Sequence, residues 1–387
     1  MIRNFLFVLS ALCCLGLAAP APHLLSFKQY KEALDAGDEE TAAIHAERAW
    51  QQSIDDGADL QARALLAQNF LDLVILSDPE RAAPAVEDAL TLGEQGYGVE
   101  NYGVEEVRLF SAYIALKAEP KKRKSRETLI DALEGMQAAD LNDTALSISI
   151  LIQSIDIFMS AEDMKKLRVL TGYLDRSLSK NPSVSVKTLS YVRSIRVLSI
   201  LSIRRKSTAN PSNPNKRFVG DLNDSAVLIE NTLPLFEPVQ SIDDVDPMHA
   251  TIVTLNGIVE SFAGSYSIEL NPNHVFENMS RIITETTSLN DIIISGRPDH
   301  CDIEWRQDRV ADFPERQYGG NGSILIGYHL NQDGDVYGER VLAQIPKKLF
   351  TDSALSDVSK WKAEPSSIDD EACRKNLIAR LTYSSSP

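Results

Sequence analysis

The hydrophobic and polar positions of the chain follow two different periods. From Leu25 to about Ile294, apolar residues recur at helical spacing, and short breaks rich in Gly, Asp, Asn and Pro separate the helical segments. The breaks are D-A-G-D at 35–38, D-D-G-A-D at 55–59, S-D-P-E at 77–80, N-P-S at 181–183 and N-P-N at 271–273. Each break joins a helix stop to a capping start, which predicts a series of antiparallel helical hairpins.

Small residues recur at fixed intervals in the first two predicted hairpins. In the first they are Gly37, Asp38, Ala42, Ala46 and Ala49, and in the second they are Ala82, Val86 and Ala89. Small side chains three and four residues apart let two helices approach closely, and this spacing resembles the second half of a tetratricopeptide unit. The second hairpin is predicted about 34 residues after the first, and later pairs about 41 residues apart. Residues 24–294 therefore resemble a divergent tetratricopeptide-like α-solenoid; an irregular helical bundle is the alternative.

The pattern changes beyond the break at 295–299. Residues 323–330 alternate between two faces of a predicted strand, N-Q-D-G-D supplies a tight turn, and a second strand follows from Val336 to Ala343. A helix from Phe350 to Trp361 presents one apolar face, and a last strand spans Lys375 to Tyr383. The whole chain is therefore predicted to be an α+β multidomain protein: helical hairpins, then a small three-stranded antiparallel sheet with a covering helix.

The charge of the chain argues against one class of partner. Its 387 residues carry a formal net charge of −16, with Asp and Glu spread along the sequence. Nucleic acid requires clustered Lys and Arg, so we expect no nucleic-acid binding. Two basic stretches, 121–126 and 204–217, are predicted to be solvated turns, and contact with an anionic polymer or lipid headgroups is the alternative.

The first residues have the layout of a secretory signal. Arg3 precedes an uncharged apolar run from Phe5 to Ala19, and A-P-A-P follows. A membrane-spanning helix needs about 20 apolar residues, so we expect a cleaved signal peptide at 1–18 and an exported protein. Membrane contact is expected only if this segment stays uncleaved as an anchor.

Four cysteines occur, and two of them, Cys13 and Cys14, lie in the signal segment. Lipidation there is an alternative that Leu12 disfavours, because a lipoprotein signal needs a small residue at that point. The other two, Cys301 and Cys373, predict a disulfide bond in an exported protein. Closing the long loop between them is worth roughly 4 kcal/mol in the chain-entropy model. Two unpaired buried thiols are the alternative.

The C-terminal stretch carries a set of residues at characteristic spacing. It comprises F-P-E-R at 313–316, Gly322, D-G-D-V at 333–336, Pro346, Phe350 and W-K-A-E-P at 361–365. On these residues, 297–387 resembles the C-terminal domain of TonB, the energy transducer of bacterial outer-membrane transport. The family marks carried over are Phe313, Pro314, Gly322, Asp333, Gly334, Pro346, Phe350, Trp361 and Pro365. The stretch before Gly322 is shorter than in the family, so the first helix of the domain is expected to be stunted.

The resemblance implies a periplasmic binding module that is not an enzyme and has no cofactor. Family members add a short peptide of an outer-membrane receptor as an extra strand beside the last strand of the sheet. The corresponding edge here is Asn376, Leu377, Ile378, Ala379, Arg380, Leu381, Thr382 and Tyr383. The expected partner is a peptide from such a receptor or from another periplasmic protein. Alternatively, the helices or a second copy of the module, in a homodimer, cover this edge.

Other candidate sites lack the residues that their chemistry needs. His300, Cys301 and Asp302 are neighbours whose side chains diverge, so they do not predict a metal site. The turn at 331–335 resembles the start of a calcium loop, but Val336 occupies the position of the required glycine. No catalytic constellation is recognisable, and we expect no enzyme.

The sequence thus favours a docking adaptor linked to TonB-dependent transmembrane transport. A classical transducer has Ser and His one helical turn apart in its anchor, whereas Ser10 here is followed by Cys14. One alternative is a periplasmic scaffold that binds through its helices, with the small domain as a structural cap. Another is an atypical energy transducer anchored in the inner membrane.

Overall fold

The computed structural model describes residues 21–99, 102–139, 144–204, 216–265, 301–306, 322–346 and 350–383. The signal segment, the predicted boundary at 294–297, Phe313 and Pro314, and most of the second basic stretch lie outside these ranges. The described chain is mostly helical with one small three-stranded antiparallel sheet near the C-terminus, which confirms the predicted α+β layout. None of the described helices combines the length and apolar character needed to cross a membrane.

Helices precede the sheet along the chain. They are α1 (Pro22–Asp35), α2 (Glu39–Asp55), α3 (Leu60–Val74), α4 (Pro79–Glu94), α5 (Val104–Ala118), α6 (Arg123–Ala138), α7 (Ala145–Ser160), α8 (Met164–Ser179), α9 (Val186–Arg204), α10 (Lys216–Glu230) and α11 (Pro247–Ser265). The C-terminal elements are β1 (Gly322–Leu330), β2 (Val336–Ile345), α12 (Thr351–Val358), α13 (Glu371–Arg374) and β3 (Leu377–Tyr383).

The described residues form two compact units that divide after Ser154, inside α7. In the first unit, consecutive helices pack on one another from α1 to α6. In the second unit, α8 packs on α9, while α9, α10 and α11 pack on one another. The second unit also contains the sheet.

The turns between the first helices follow the predicted scheme. Gly37 and Gly57 take φ values of +75° and +62°, a conformation in which glycine carries no steric penalty. Asp38, Asp59 and Asp78 each accept hydrogen bonds from backbone N–H groups in the first turn of the next helix. Caps of this kind stabilise a helix by about 1 kcal/mol. Local sequence therefore sets where α2, α3 and α4 begin.

The small residues of the first hairpins are buried between helices. All of the predicted ones on α2 and α4 have side chains that are almost fully buried: Ala42, Ala46, Ala49, Ala82, Val86 and Ala89. The pairs that begin with α5, α7 and α9 keep the predicted spacing of about 41 residues. The first interval, from α1 to α3, is wider than the predicted one.

The sheet has the order β2-β1-β3, and all of its pairings are antiparallel. The predicted tight turn between β1 and β2 is present: the Asn331 side-chain oxygen accepts hydrogen bonds from the N–H groups of Asp333 and Asp335, both at 2.9 Å. Gly334 has a φ of +85° in this turn. Compared with the prediction, β2 is two residues longer, and α12 ends at Val358 instead of Trp361.

Candidate docking edge of the C-terminal sheet

One face of the sheet packs on α12 and on a group of aromatic residues. The core of this first face contains the β1 residues Ile324, Ile326, Tyr328 and Leu330. Gly322 begins β1 directly over Phe350, and a Cβ atom at this glycine would lie 2.1 Å from the Phe350 ring. The family marks Gly322 and Phe350 therefore depend on each other, because any larger residue at 322 would displace the ring.

The segment W-K-A-E-P closes back onto the hairpin turn. The Ala363 N–H donates to the Gly334 carbonyl at 2.8 Å, and a Cβ at Gly334 would lie 2.1 Å from the Ala363 oxygen. The Lys362 ammonium lies 2.7 Å from the Asp335 carboxylate, and its hydrogen bond lowers the pKa of Asp335. These contacts explain why a glycine turn and this segment occur together in the sequence.

Residues 301–306 run along the other side of the same segment. The Arg306 N–H donates to the Lys362 carbonyl at 2.9 Å, and the Glu364 N–H donates to the Glu304 carbonyl at 2.8 Å. Trp305 packs edge-on against Trp361, with ring centroids 5.8 Å apart. W-K-A-E-P thus lies between the hairpin turn and a short extended segment that has no periodic pattern in the sequence.

The predicted disulfide bond joins this segment to the start of the last strand. Cys301 and Cys373 are bonded, with their Cα atoms 5.2 Å apart. Cys373 lies in α13, three residues before Asn376, and is buried. The bond therefore fixes residues 301–306 relative to β3.

The second face of the sheet is covered by α11. Leu325 is fully buried against Ala250 and Val253. One helical turn further along α11, Gly257 faces Ser323, and a Cβ at Gly257 would lie 2.7 Å from the Ser323 hydroxyl. β1 is consequently buried on both faces, whereas the alternating pattern had predicted one covering helix.

The predicted docking residues divide between the two covered faces. Leu377, Ala379 and Leu381 belong to the core of the first face. On the second face, Ile378 packs near α11, and Arg380 donates to the Glu260 carboxylate at 2.5 Å. The side chains of β3 are thus largely engaged within the protein, so a partner strand could add only along its outer backbone edge.

The ends of the predicted edge differ from its middle. Asn376 precedes β3 in a left-handed conformation with a φ of +56°. Thr382 lies on the second face, with its hydroxyl 3.4 Å from the Ser323 hydroxyl, and Tyr383 pairs with Gly322 in the ladder. The ladder between β1 and β3 therefore covers every predicted docking residue except Asn376.

The two edges of the sheet have different regularity. β3 pairs with β1 in an unbroken register from Leu377 to Tyr383. β2 pairs with β1 through two register shifts, and Gly338 within it has a φ of +66°. Bulges twist an edge and interrupt its ladder of N–H and C=O groups. Among the described residues, no strand other than β1 pairs with β3.

The family marks Pro346 and Pro365 lie at the boundaries of elements. A cis peptide bond joins Ile345 to Pro346 at the end of β2. Pro365 opens a short 3-10 turn after W-K-A-E-P. In the described part of the chain, His, Cys, Asp and Glu form no group that could hold a metal ion.

No protein-family model matches the chain. A search of curated proteins also gave no match. The resemblance to the TonB C-terminal domain thus depends on the family marks alone and stays a prediction.

Two features of the sequence could have indicated that a helix covers the second face of the sheet. The face of β1 that carries Ser323, Leu325 and Gly327 holds small and apolar residues instead of charged ones. The α11 sequence is apolar on all sides, as in I-V-T-L-N-G-I-V, and a helix of that kind is buried all round. Both patterns are typical of elements enclosed between two layers.

Proposed function

We propose that the chain is a periplasmic, non-enzymatic docking adaptor of TonB-dependent outer-membrane transport, which takes up a partner peptide as an added strand beside β3. The contrast between the two sheet edges carries the proposal. The regular register of β3 gives a partner strand a continuous row of backbone groups, whereas the shifts in β2 interrupt such a row.

The burial of both sheet faces determines which contacts a partner peptide can make. Because Leu377 and Ala379 pack under the first face and Ile378 packs near α11, the partner gains affinity mainly from backbone hydrogen bonds. The side chains of the partner peptide lie beside the residues that cover the two faces of β3. On the second face they lie next to the Arg380–Glu260 pair. In this proposal residues 24–294 form a divergent tetratricopeptide-like scaffold, which the consecutive packing of α1 to α6 supports.

Capture by the full mature chain tests the proposal. Immobilised protein is incubated with a detergent extract of bacterial outer membranes, and the bound proteins are identified by mass spectrometry. We expect recovery of TonB-dependent receptors. Recovery of other proteins alone contradicts the transport role.

Proline substitutions test the edge itself. Alternate residues of an antiparallel strand direct their N–H groups outward, so of Arg380→Pro and Leu381→Pro one removes an outward donor and the other breaks the ladder with β1. We expect the tolerated variant, identified as the one of the two with the higher unfolding midpoint, to lose capture. Glu339→Pro and Arg340→Pro on β2 are the matched controls and should keep capture wherever they fold. Capture that persists in the tolerated β3 variant refutes docking at this edge.

A second candidate function follows from α11. This helix packs on α9 and α10 on one side and on the sheet on the other, an arrangement in which the sheet caps the helices. A scaffold that binds through its helices would recover the same partners whichever strand edge carries proline.

A further inference from the structure

A strap of backbone crosses the second face of the sheet just before α11; we define it as residues 239–245. Ile242 in the strap is buried and packs on β1, where a Cβ at Gly327 would lie 3.0 Å from the Ile242 Cδ1 atom. Asp243 pairs with Arg340 of β2 at 2.5 Å. The strap thus reaches over β1 to β2.

Asn376 attaches the strap to the start of β3. Its side-chain oxygen accepts hydrogen bonds from the Ser241 hydroxyl at 3.1 Å and from the Ile242 N–H at 3.3 Å. Its side-chain amide donates to the Gln240 carbonyl at 3.4 Å. Three consecutive strap residues, Gln240, Ser241 and Ile242, are therefore hydrogen-bonded to one side chain.

The backbone of Asn376 is held in turn by a histidine. The Asn376 N–H donates to the Nδ1 atom of His329 on β1, at 3.1 Å. Only an unprotonated Nδ1 accepts a hydrogen bond, so this contact requires the neutral ring with its proton on Nε2. Protonation at Nδ1 would set one N–H against another.

One aromatic ring packs against the His329 ring, and three charged groups act on it electrostatically. Tyr337 of β2 packs against it with ring centroids 5.4 Å apart, and Arg340 of β2 and Lys375 before β3 oppose a positive charge on the ring. Asp243 of the strap favours that charge. Burial outweighs Asp243 and lowers the pKa of His329 below its ordinary value.

We propose that His329 and Asn376 form an acid-sensitive latch, in which a proton taken up from solvent at Nδ1 removes the acceptor of the Asn376 N–H and releases the strap. The latch stands whether or not a peptide adds to β3. Because the folded pKa is lowered, the closed state is fully favoured above the ordinary histidine pKa of about 6.5 and loses stability as the pH falls below it. One proton changes the opening equilibrium by at most about tenfold per pH unit.

Amide hydrogen exchange of the full chain tests the latch. The reporters are the amides of Ile242 and Asn376, with protection factors corrected for intrinsic exchange between pH 8 and pH 5. We expect their protection to fall by up to about tenfold per pH unit below about pH 6.5, while amides of α9 keep theirs. His329→Gln keeps a side-chain acceptor but does not titrate, so in this variant the protection of the Ile242 and Asn376 amides should not vary with pH. His45→Gln, in the first unit, is the matched control and should behave like the wild type.

A second variant separates the two halves of the latch. Asn376→Gly adopts the left-handed conformation without strain and keeps its N–H for His329, but it cannot bind the strap. In this variant we expect low protection of the Ile242 amide at every pH. The protection of the amide at position 376 should still depend on pH. The latch is refuted by pH-independent protection in the wild type, by an unaltered pH dependence in His329→Gln, or by simultaneous loss of protection throughout the second unit.

Discussion

At the residue scale, glycine lies where α11 packs closely on the sheet, because a larger residue there would collide with the neighbouring side chains. Gly257 lies in the middle of α11, where glycine normally costs about 0.5–1 kcal/mol relative to alanine. A Cβ there would lie 2.8 Å from the Thr382 hydroxyl and 2.9 Å from the Arg380 Cδ atom. The close approach of α11 to the sheet therefore offsets the lower helix propensity.

This contact predicts opposite effects for two similar substitutions. Gly220→Ala in α10 meets no atom within 4 Å and should raise the free energy of unfolding by about 0.5–1 kcal/mol. Gly257→Ala gains the same propensity but must displace Ser323 and Arg380, so we expect a net loss of about 1–3 kcal/mol. Urea unfolding followed by circular dichroism measures both. Equal stabilisation by the two variants would show that α11 does not approach the sheet closely.

The hairpin turn allows a similar comparison within one sheet. Gly334→Ala and Gly338→Ala both place alanine at positive φ, which costs about 1–2 kcal/mol. Only Gly334→Ala also meets the Ala363 backbone, whereas at Gly338 the nearest atom, 3.3 Å away, belongs to the His329 ring. We therefore expect Gly334→Ala to lose about 1–3 kcal/mol more in urea unfolding. Similar losses would contradict the packing of W-K-A-E-P on the turn.

At the element scale, both a disulfide bond and a short backbone ladder hold the segment at 301–306 in place. The backbone bonds of Arg306 and Glu364 hold the segment beside W-K-A-E-P, and the Cys301–Cys373 bond holds its beginning. Because the ladder does not need the sulfur atoms, we expect the sheet to form without them, although less stably.

Removing the disulfide bond tests whether the sheet forms without it. Cys301→Ala combined with Cys373→Ala should lower the free energy of unfolding by about 2–4 kcal/mol while the far-ultraviolet spectrum of the folded protein is preserved. Wild-type protein treated with a reductant is the matched control and should lose a comparable amount. An unfolding midpoint that does not change on reduction would show that the bond does not stabilise this unit.

Elements governed by local rules were predictable, and elements governed by distant contacts were not. Alternation predicted β1, N-Q-D-G-D predicted its turn, and Asp38 predicted the start of α2, because each signal acts within a few residues. Residues 301–306 have no periodicity of their own, so their pairing with W-K-A-E-P depends on contacts far along the chain. The candidate edge on β3 came from a family resemblance, and its regular register became visible only in the structure.

At the scale of the whole molecule, α11 belongs to two cores in the second unit. One side of the helix carries Leu255 and Ile258 against α9 and α10, and another carries Val253 against Leu325 of the sheet. The sequence predicted α11 only as one segment of the helical region, since helical periodicity does not show which partner covers each side. Residues 297–387, predicted as a domain, therefore depend on a helix outside that range for one face of their sheet.

Two fragments of the chain test this dependence. A fragment of residues 155–387 keeps α11 and should unfold cooperatively in urea, when followed by tryptophan fluorescence and circular dichroism. A fragment of residues 297–387 exposes Leu325 and Ile378 to water and leaves Arg380 without Glu260, so we expect it to lose the cooperative transition. Burying one such side chain contributes about 1.5–3 kcal/mol, which is a large part of the stability of a domain this small. A cooperative transition of the shorter fragment at the midpoint of the longer one would show that the sheet folds without α11, and strand addition could then be studied on residues 297–387 alone.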